Sequence, residues 1–281
     1  MIYFLSDAHI GSRAMNDPGH QLRFVQLLEQ LAEDATAIYL LGDIFDFWSE
    51  YIWRDRSKEE YKPILTCLRS LTDRGIDVHF FIGNHDIWTY GELARLTGMT
   101  VHRKPEIVTL HGKRCLLAHG DGLVPTNYLT QFPKDIQKKI RKFMRLRALF
   151  HNPVAQALFR CMPPAWGNSF GYNWAKHSRE KELANPCGYK GENHEELVLY
   201  AKEVESQKSR GPQRASLEWG DSKVESHERK IDYYIFGHRH IELDLELATG
   251  ARVVILGDCF RQWTFAAMDE QGQLQLECFS E

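Results

Sequence analysis

Five short clusters of metal-capable side chains punctuate this 281-residue chain: Asp7-Ala8-His9, Gly42-Asp43, Gly83-Asn84-His85-Asp86, His119-Gly120-Asp121 and Gly237-His238-Arg239-His240. Two divalent ions held close together need about six protein ligands and one shared carboxylate. Asp7, His9 and His240 can serve one ion, Asn84, His119 and His238 the other, with Asp43 bridging. The mixture of oxygen and imidazole donors suits Mn²⁺ first, with Fe or Zn²⁺ as alternatives, and suits Ca²⁺ less. Any one cluster means little, since Asp-x-His arises by chance and Gly-Asp marks an ordinary turn. All five in this order, each directly after an apolar run, are hard to explain without a metal site.

Those apolar runs read as strands. Ile2 to Leu5, Ala37 to Leu41 and Ile76 to Ile82 are continuous and short, as buried strands are. Between them, residues 20–34 and 57–74 carry apolar side chains at helical spacing, and Gly75 is placed to end the second helix. Strand, helix, strand, helix, strand predicts a parallel sheet with crossover helices, whose ligands lie beyond the carboxyl ends of the strands. Further on, Ile107 to Leu110 and Arg114 to Ala118 predict a hairpin around His111-Gly112-Lys113. The carboxyl-terminal part is β-rich again, from Tyr233 to Phe236 through Leu274 to Phe279. Residues 124–230 between the β regions read as mostly helical, an insert forming a cap, so that the core comprises 1–123 and 231–281. The polar stretch 207–229 within it reads as a surface loop.

Composition excludes several classes. A net charge of −3 argues against a protein that coats nucleic acid with its whole surface. The six cysteines are scattered with no CxxC pair, which speaks against a structural zinc knuckle or a disulfide framework. The first residues turn polar at Ser6-Asp7, too early for a signal peptide, and no apolar run reaches membrane-spanning length. A cytoplasmic protein is the expectation. The histidines outside the clusters, such as His20, His79 and His102, read as structural or surface groups.

The ordered clusters resemble the calcineurin-like metallophosphoesterase superfamily, over about 1–122 and 231–268. The resemblance implies an αββα fold, a β-sandwich flanked by helices with both metals at the strand ends, and hydrolysis of a phosphate ester by a water that the two metals activate. It implies that Asn84 binds metal and touches the substrate phosphate. It gives His85 the role of stabilising the transition state or protonating the leaving oxygen. Asp86 is expected to orient its neighbours rather than bind metal.

The substrate must be read from the insert. Residues 134–147 hold seven Lys or Arg around an apolar stripe of Ile136, Ile140, Phe143 and Met144. Such a helix can lie on anionic lipid, or can pack on the sheet as an ordinary amphipathic helix. Leu158-Phe159, Trp166, Phe170, Tyr172 and Trp174 can line an acyl-chain groove or form the cap's own small core. With the entry Ser6-Asp7-Ala8-His9-Ile10-Gly11 and the strand Leu256-Gly257-Asp258, this insert resembles that of the UDP-2,3-diacylglucosamine hydrolases of lipid A synthesis. That resemblance implies release of UMP and 2,3-diacylglucosamine 1-phosphate. It also implies substrate contacts from Asn84, His85, Ser178 and His238, and peripheral association with the inner face of the cytoplasmic membrane. Neither nucleic acid nor an obligate protein partner is expected. Two features depart from the group: many of its members carry Arg where this chain has His85, and the insert is long. A metallophosphoesterase acting on another phosphomonoester, phosphodiester or nucleotide pyrophosphate is the alternative.

Overall fold

The computed structural model describes residues 1–15, 17–53, 55–123, 152–184, 195–208, 218–219, 222–223 and 230–280. The amino-terminal half forms β1 (Ile2–Leu5), α1 (His20–Leu31), β2 (Ala37–Leu41), α2 (Lys62–Asp73), β3 (Asp77–Phe81), α3 (Glu92–Thr97), β4 (Thr100–His102), β5 (Glu106–Leu110) and β6 (Lys113–Ala118). The rest comprises α4 (Pro153–Arg160), α5 (Pro164–Ala184), α6 (Glu195–Lys208), two-residue strands β7 (Glu218–Trp219) and β8 (Ser222–Lys223), β9 (Tyr233–Phe236), β10 (Glu242–Glu246), β11 (Arg252–Leu256), β12 (Thr264–Met268) and β13 (Leu274–Cys278). The helix expected over 57–74 is a 3₁₀ turn followed by α2, whose first turn contains Pro63. Proline suits a helix start because it has no N–H to leave unpaired there.

Two sheets stack face to face. One runs β13-β12-β1-β2-β3-β4 and the other β10-β11-β9-β6-β5. In the first, β1 to β4 are parallel, and β12 and β13 close one edge antiparallel. In the second, β11, β9 and β6 are parallel between two antiparallel edges. Each sheet is therefore mixed, and within the first the parallel order expected of β1, β2 and β3 holds.

Alternation along the strands distributes the core. Phe4, Tyr39, Leu41 and Phe81 face Cys115, Leu117, Tyr233 and Ile235 between the sheets. Leu5, Leu40 and Phe80 face outward onto Phe24, Leu28 and Leu31 of α1 and Ile64, Leu68 and Leu71 of α2. Each such side chain, fully buried, contributes about 1.5–3 kcal/mol. The outer face of the second sheet, with Tyr234, Phe236, Val253 and Ile255, is covered by Leu197, Val198, Ala201 and Val204 of α6. The strands read as unbroken apolar runs because both of their faces are buried.

The segment 124–230 thus contains helices with two different partners. Whereas α6 lies on the second sheet, Phe159 of α4 and Tyr172 of α5 join the cluster on the outer face of the first. Phe159 stacks on Trp88, with ring centroids 4.0 Å apart. The basic stretch 134–147 lies outside the described residues, as does most of 207–229.

Glu50 joins the loops after β2 and β3. It is 3% exposed and accepts hydrogen bonds from the Trp48 indole (3.2 Å) and from the backbone N–H groups of Tyr90, Glu92 (2.9 Å) and Leu93 (2.8 Å). Replacing it with Ala leaves these buried donors without an acceptor, at a cost above about 3 kcal/mol. Urea unfolding should show that loss for Glu50→Ala and a smaller one for Glu50→Gln. A change no larger than that of a surface substitution would remove Glu50 from this role.

Candidate metal centre

Parallel strands from both sheets deliver their carboxyl ends to one place. β1 carries Asp7 and His9, β2 Asp43, β3 Asn84 and His85, β6 His119, and β9 His238 and His240. Cross-links hold the ends together: Gly237 N–H donates to the His119 carbonyl (2.9 Å) and Asp7 N–H to that of Gly42 (3.0 Å).

The backbone is strained where these side chains must converge. Asp7 (φ 52°), His9 (49°), Asp43 (52°), His238 (70°) and His240 (53°) all occupy the left-handed region. Such conformations cost of order 1 kcal/mol or more for a non-glycine residue and persist where the surroundings impose them, commonly at functional sites. Two of the glycines serve a different need, close approach. A Cβ on Gly83 would lie 2.2 Å from Asp43 Oδ1, and one on Gly237 would lie 2.5 Å from Asp7 Oδ2.

Each carboxylate is divided in function. Asp43 Oδ1 accepts the His85 N–H at 2.8 Å, which turns Oδ2 toward the centre. There Oδ2 lies 3.3 Å from His119 Nε2, 3.9 Å from His9 Nε2 and 4.0 Å from His85 Nε2. Asp7 Oδ2 accepts the His238 N–H at 2.7 Å, leaving Oδ1 2.8 Å from His240 Nε2 and 3.7 Å from His9 Nε2. Among the described residues, Asp7, His9 and His240 form one group able to hold an ion, and Asp43, His119 and His238 another. A third such group, His9, Asp46 and His85, shares His9 with the first.

The imidazoles are oriented by acceptors on their far side. A carbonyl can only accept, so His119 Nδ1–H donates to Leu41 O (2.8 Å) and His85 Nδ1–H to Asp46 O (2.7 Å), presenting Nε2 to the centre. His9 Nδ1 lies 3.3 Å from Asp46 Oδ1. Orienting partners of this kind fix which nitrogen faces a metal. Asp86 is fully buried and accepts from Gly83 N–H (2.6 Å) and Ile44 N–H (3.1 Å), tying together the loops of Asn84 and Asp43. Burial, and then the neighbouring Asp43, push its carboxyl well above the usual range.

Asp46 is absent from the sequence reading, although it stands three residues after Asp43. So is Phe260, whose ring meets His9 and His240 edge-on at 5.8 and 5.4 Å. Trp174, one of the aromatic residues of the insert, is centred 4.7 Å from His85, a contact its sequence position does not reveal. Asp258 shapes the Phe260 loop by accepting three backbone N–H groups, at 2.7, 2.9 and 3.3 Å. Ser178 lies in α5, and its side chain is outside the described residues.

The donor set fits a pair of divalent ions. Carboxylates and imidazoles converge with no cysteine among them, and Asn84 Oδ1 is buried without a hydrogen-bond partner, as a ligand oxygen would be.

The calcineurin-like phosphoesterase family profile matches residues 1–242. This protein belongs to that family. Like the family, it is a metal-dependent phosphoesterase, and its two sheets between helices are the αββα arrangement. It is 34% identical to the UDP-2,3-diacylglucosamine hydrolase of Porphyromonas gingivalis, over 95% of this chain and 94% of that one. It is also 26% identical to the protein of that name from Pseudomonas fluorescens, over 99% and 95% of the two chains. A third, from Edwardsiella ictaluri, matches at 32% over 57% of this chain and 54% of its own.

Ion loading of this phosphoesterase should move protons. Burial by itself lowers the affinity of His119 for a proton, but Asp43, with Asp7 and Asp121, outweighs burial and lifts its pKa to about 10 in the ion-free protein. A cation must displace that proton, so divalent-ion affinity should rise with pH up to about that value. Adding Mn²⁺ to chelator-treated protein near neutral pH in weak buffer should acidify the solution, and less so for His119→Asn. Equal release by both proteins would contradict the assignment.

Proposed function

We propose that the protein hydrolyses the pyrophosphate of UDP-2,3-diacylglucosamine to UMP and 2,3-diacylglucosamine 1-phosphate, a step of lipid A synthesis. The observation that carries this reading is the near full-length similarity to a hydrolase named for that substrate, joined to a chain whose Asp and His clusters share one centre. In this reading Asp7, His9 and His240 would hold one ion, Asn84, His119 and His238 the other, with Asp43 shared between them. Mn²⁺ is the favoured ion because the donors are oxygen and imidazole without thiolate. Two such ions, when bound, acidify a water and neutralise phosphate oxygens.

The protein's own groups do the rest. Asn84 and His238 hold the substrate phosphate beside the centre. A water oxygen bonds to the uridylyl phosphorus, giving up a proton to solvent, as the bond to the bridging oxygen breaks, and that oxygen keeps the electron pair and takes a proton from His85 Nε2. The Asp46 carbonyl keeps His85 turned for this transfer by accepting its Nδ1–H. Residues 124–230 act as an inserted cap. The docking of α4 and α5 beside the loops of Asp43 and His85 supports that assignment, and with it a lipid-bearing substrate. Ser178 is assigned a substrate contact by the family resemblance alone.

We place the enzyme in the cytoplasm, peripherally on the inner membrane. No described helix is long and apolar enough to cross a membrane, while α5 exposes Trp166 and Phe170.

With Mn²⁺, the purified protein should release UMP from the diacylated sugar nucleotide. Asp43→Ala should abolish release together with metal binding. His85→Ala should keep two ions per chain by elemental analysis and lose roughly 10²- to 10⁴-fold in kcat. Failure of the wild type to release UMP would refute the substrate, and loss of metal from His85→Ala would refute the role of His85 as a proton donor.

A further inference from the structure

Trp166, Phe170 and Trp174 follow one another at four-residue spacing on α5, a single ridge along the helix. They are 73%, 57% and 42% exposed. A soluble helix normally buries such a stripe. Here the opposite side of α5 is the docked one. The Tyr172 hydroxyl donates to Glu60 at 2.9 Å, and the Arg13 guanidinium sits 4.2 Å from the centre of the Tyr172 ring. Gly171 packs so closely on Phe47 that an added Cβ would lie 2.1 Å from that ring. The Asn168 amide donates to Asp55 at 3.0 Å and its oxygen accepts from the Tyr51 hydroxyl at 3.0 Å. These contacts fix the rotation of the helix and hold the ridge outward.

The inner end of the ridge meets the chemistry. The indole of Trp174 is centred 4.7 Å from the His85 imidazole, and His85 Nε2 is 4.0 Å from Asp43 Oδ2. At 1.5 Å of rise per residue, Phe170 and Trp166 lie about 6 and 12 Å farther along the helix. The order from the centre outward is carboxylate, imidazole, indole, then apolar rings. A diacylated sugar phosphate has the matching order of phosphate, pyranose ring and acyl chains.

We propose that Trp174 is a specificity-determining residue, the platform on which the sugar ring of the leaving half stacks during hydrolysis. The proposal rests on the hydrolase reading above and adds where the sugar lies. The negative face of an indole attracts the electropositive C–H groups that a pyranose presents on its flat side. A group that takes its proton from His85 leaves next to that indole. The uracil base is also flat, but the apolar rings beyond Trp174 match acyl chains and not a ribose exposed to water.

Metal-loaded wild type, Trp174→Ala and Trp174→Phe are to be compared on UDP-2,3-diacylglucosamine, with inhibition constants for both products. Trp174→Ala should lose about tenfold in kcat/KM, mainly through KM, and bind 2,3-diacylglucosamine 1-phosphate more weakly in proportion, while inhibition by UMP changes little. Trp174→Phe should recover most of the loss, and equal metal content will show that the variants are folded. A loss confined to UMP inhibition would put the base on Trp174 and overturn the proposal, as would unchanged constants for both products. If the wild type cleaves other phosphate esters but leaves this substrate intact, the hydrolase reading falls and takes the platform with it.

Discussion

The carboxylate of Asp43 is buried, with one oxygen fixed by the His85 backbone and the other aimed at three imidazoles. A second buried carboxylate, Asp7, stands in the adjoining cluster, and Asp86 lies just behind. Buried carboxylates at this density repel one another and lack water, so they need compensating positive charge. Without a cation the compensation falls to protons, which is why His119 holds its proton so tightly and why burial and Asp43 together raise the Asp86 carboxyl. Divalent ions supply the same charge while leaving the imidazoles neutral. The strained backbone of Asp7, His9, Asp43, His238 and His240 exists to bring these groups within reach of one another.

The sandwich makes that convergence affordable. A single parallel sheet could present the β1, β2 and β3 loops but not the histidines after β6 and β9. Packing a second, partly parallel sheet against it places both sets of carboxyl ends on one rim. Helices on the outer faces then bury strands that are apolar on both sides. Glu50 and Asp86 secure the rim by satisfying backbone N–H groups in neighbouring loops. Both accept hydrogen bonds from main-chain N–H groups of two loops, and a fully satisfied buried network of this kind rigidifies the loops it joins.

Much of this was legible in the sequence because metal chemistry restricts residue types. Each apolar run had to end in Asp, Asn or His, and the buried parallel strands could not alternate with polar residues. What was illegible depends on contacts through space. Asp46 orients imidazoles that lie far from it in the chain, and Trp174 reaches His85 across 89 positions, so neither spacing carries a signal. The three-residue β4 is too short for periodicity to reveal. Leu197, Val198, Ala201 and Val204 announce an amphipathic helix, but nothing in their pattern says that it covers the second sheet. For the aromatic residues of the insert, the sequence left acyl groove and cap core both open. The structure divides them, burying Phe159 and Tyr172 and exposing Trp166 and Phe170.

Everything above depends on one centre that binds two ions through a shared Asp43. Anomalous diffraction from crystals soaked in Mn²⁺ tests it directly. Two peaks should appear roughly 3.5–4 Å apart, on either side of Asp43 Oδ2. One peak, or two with Asp43 contacting neither ion, would contradict it.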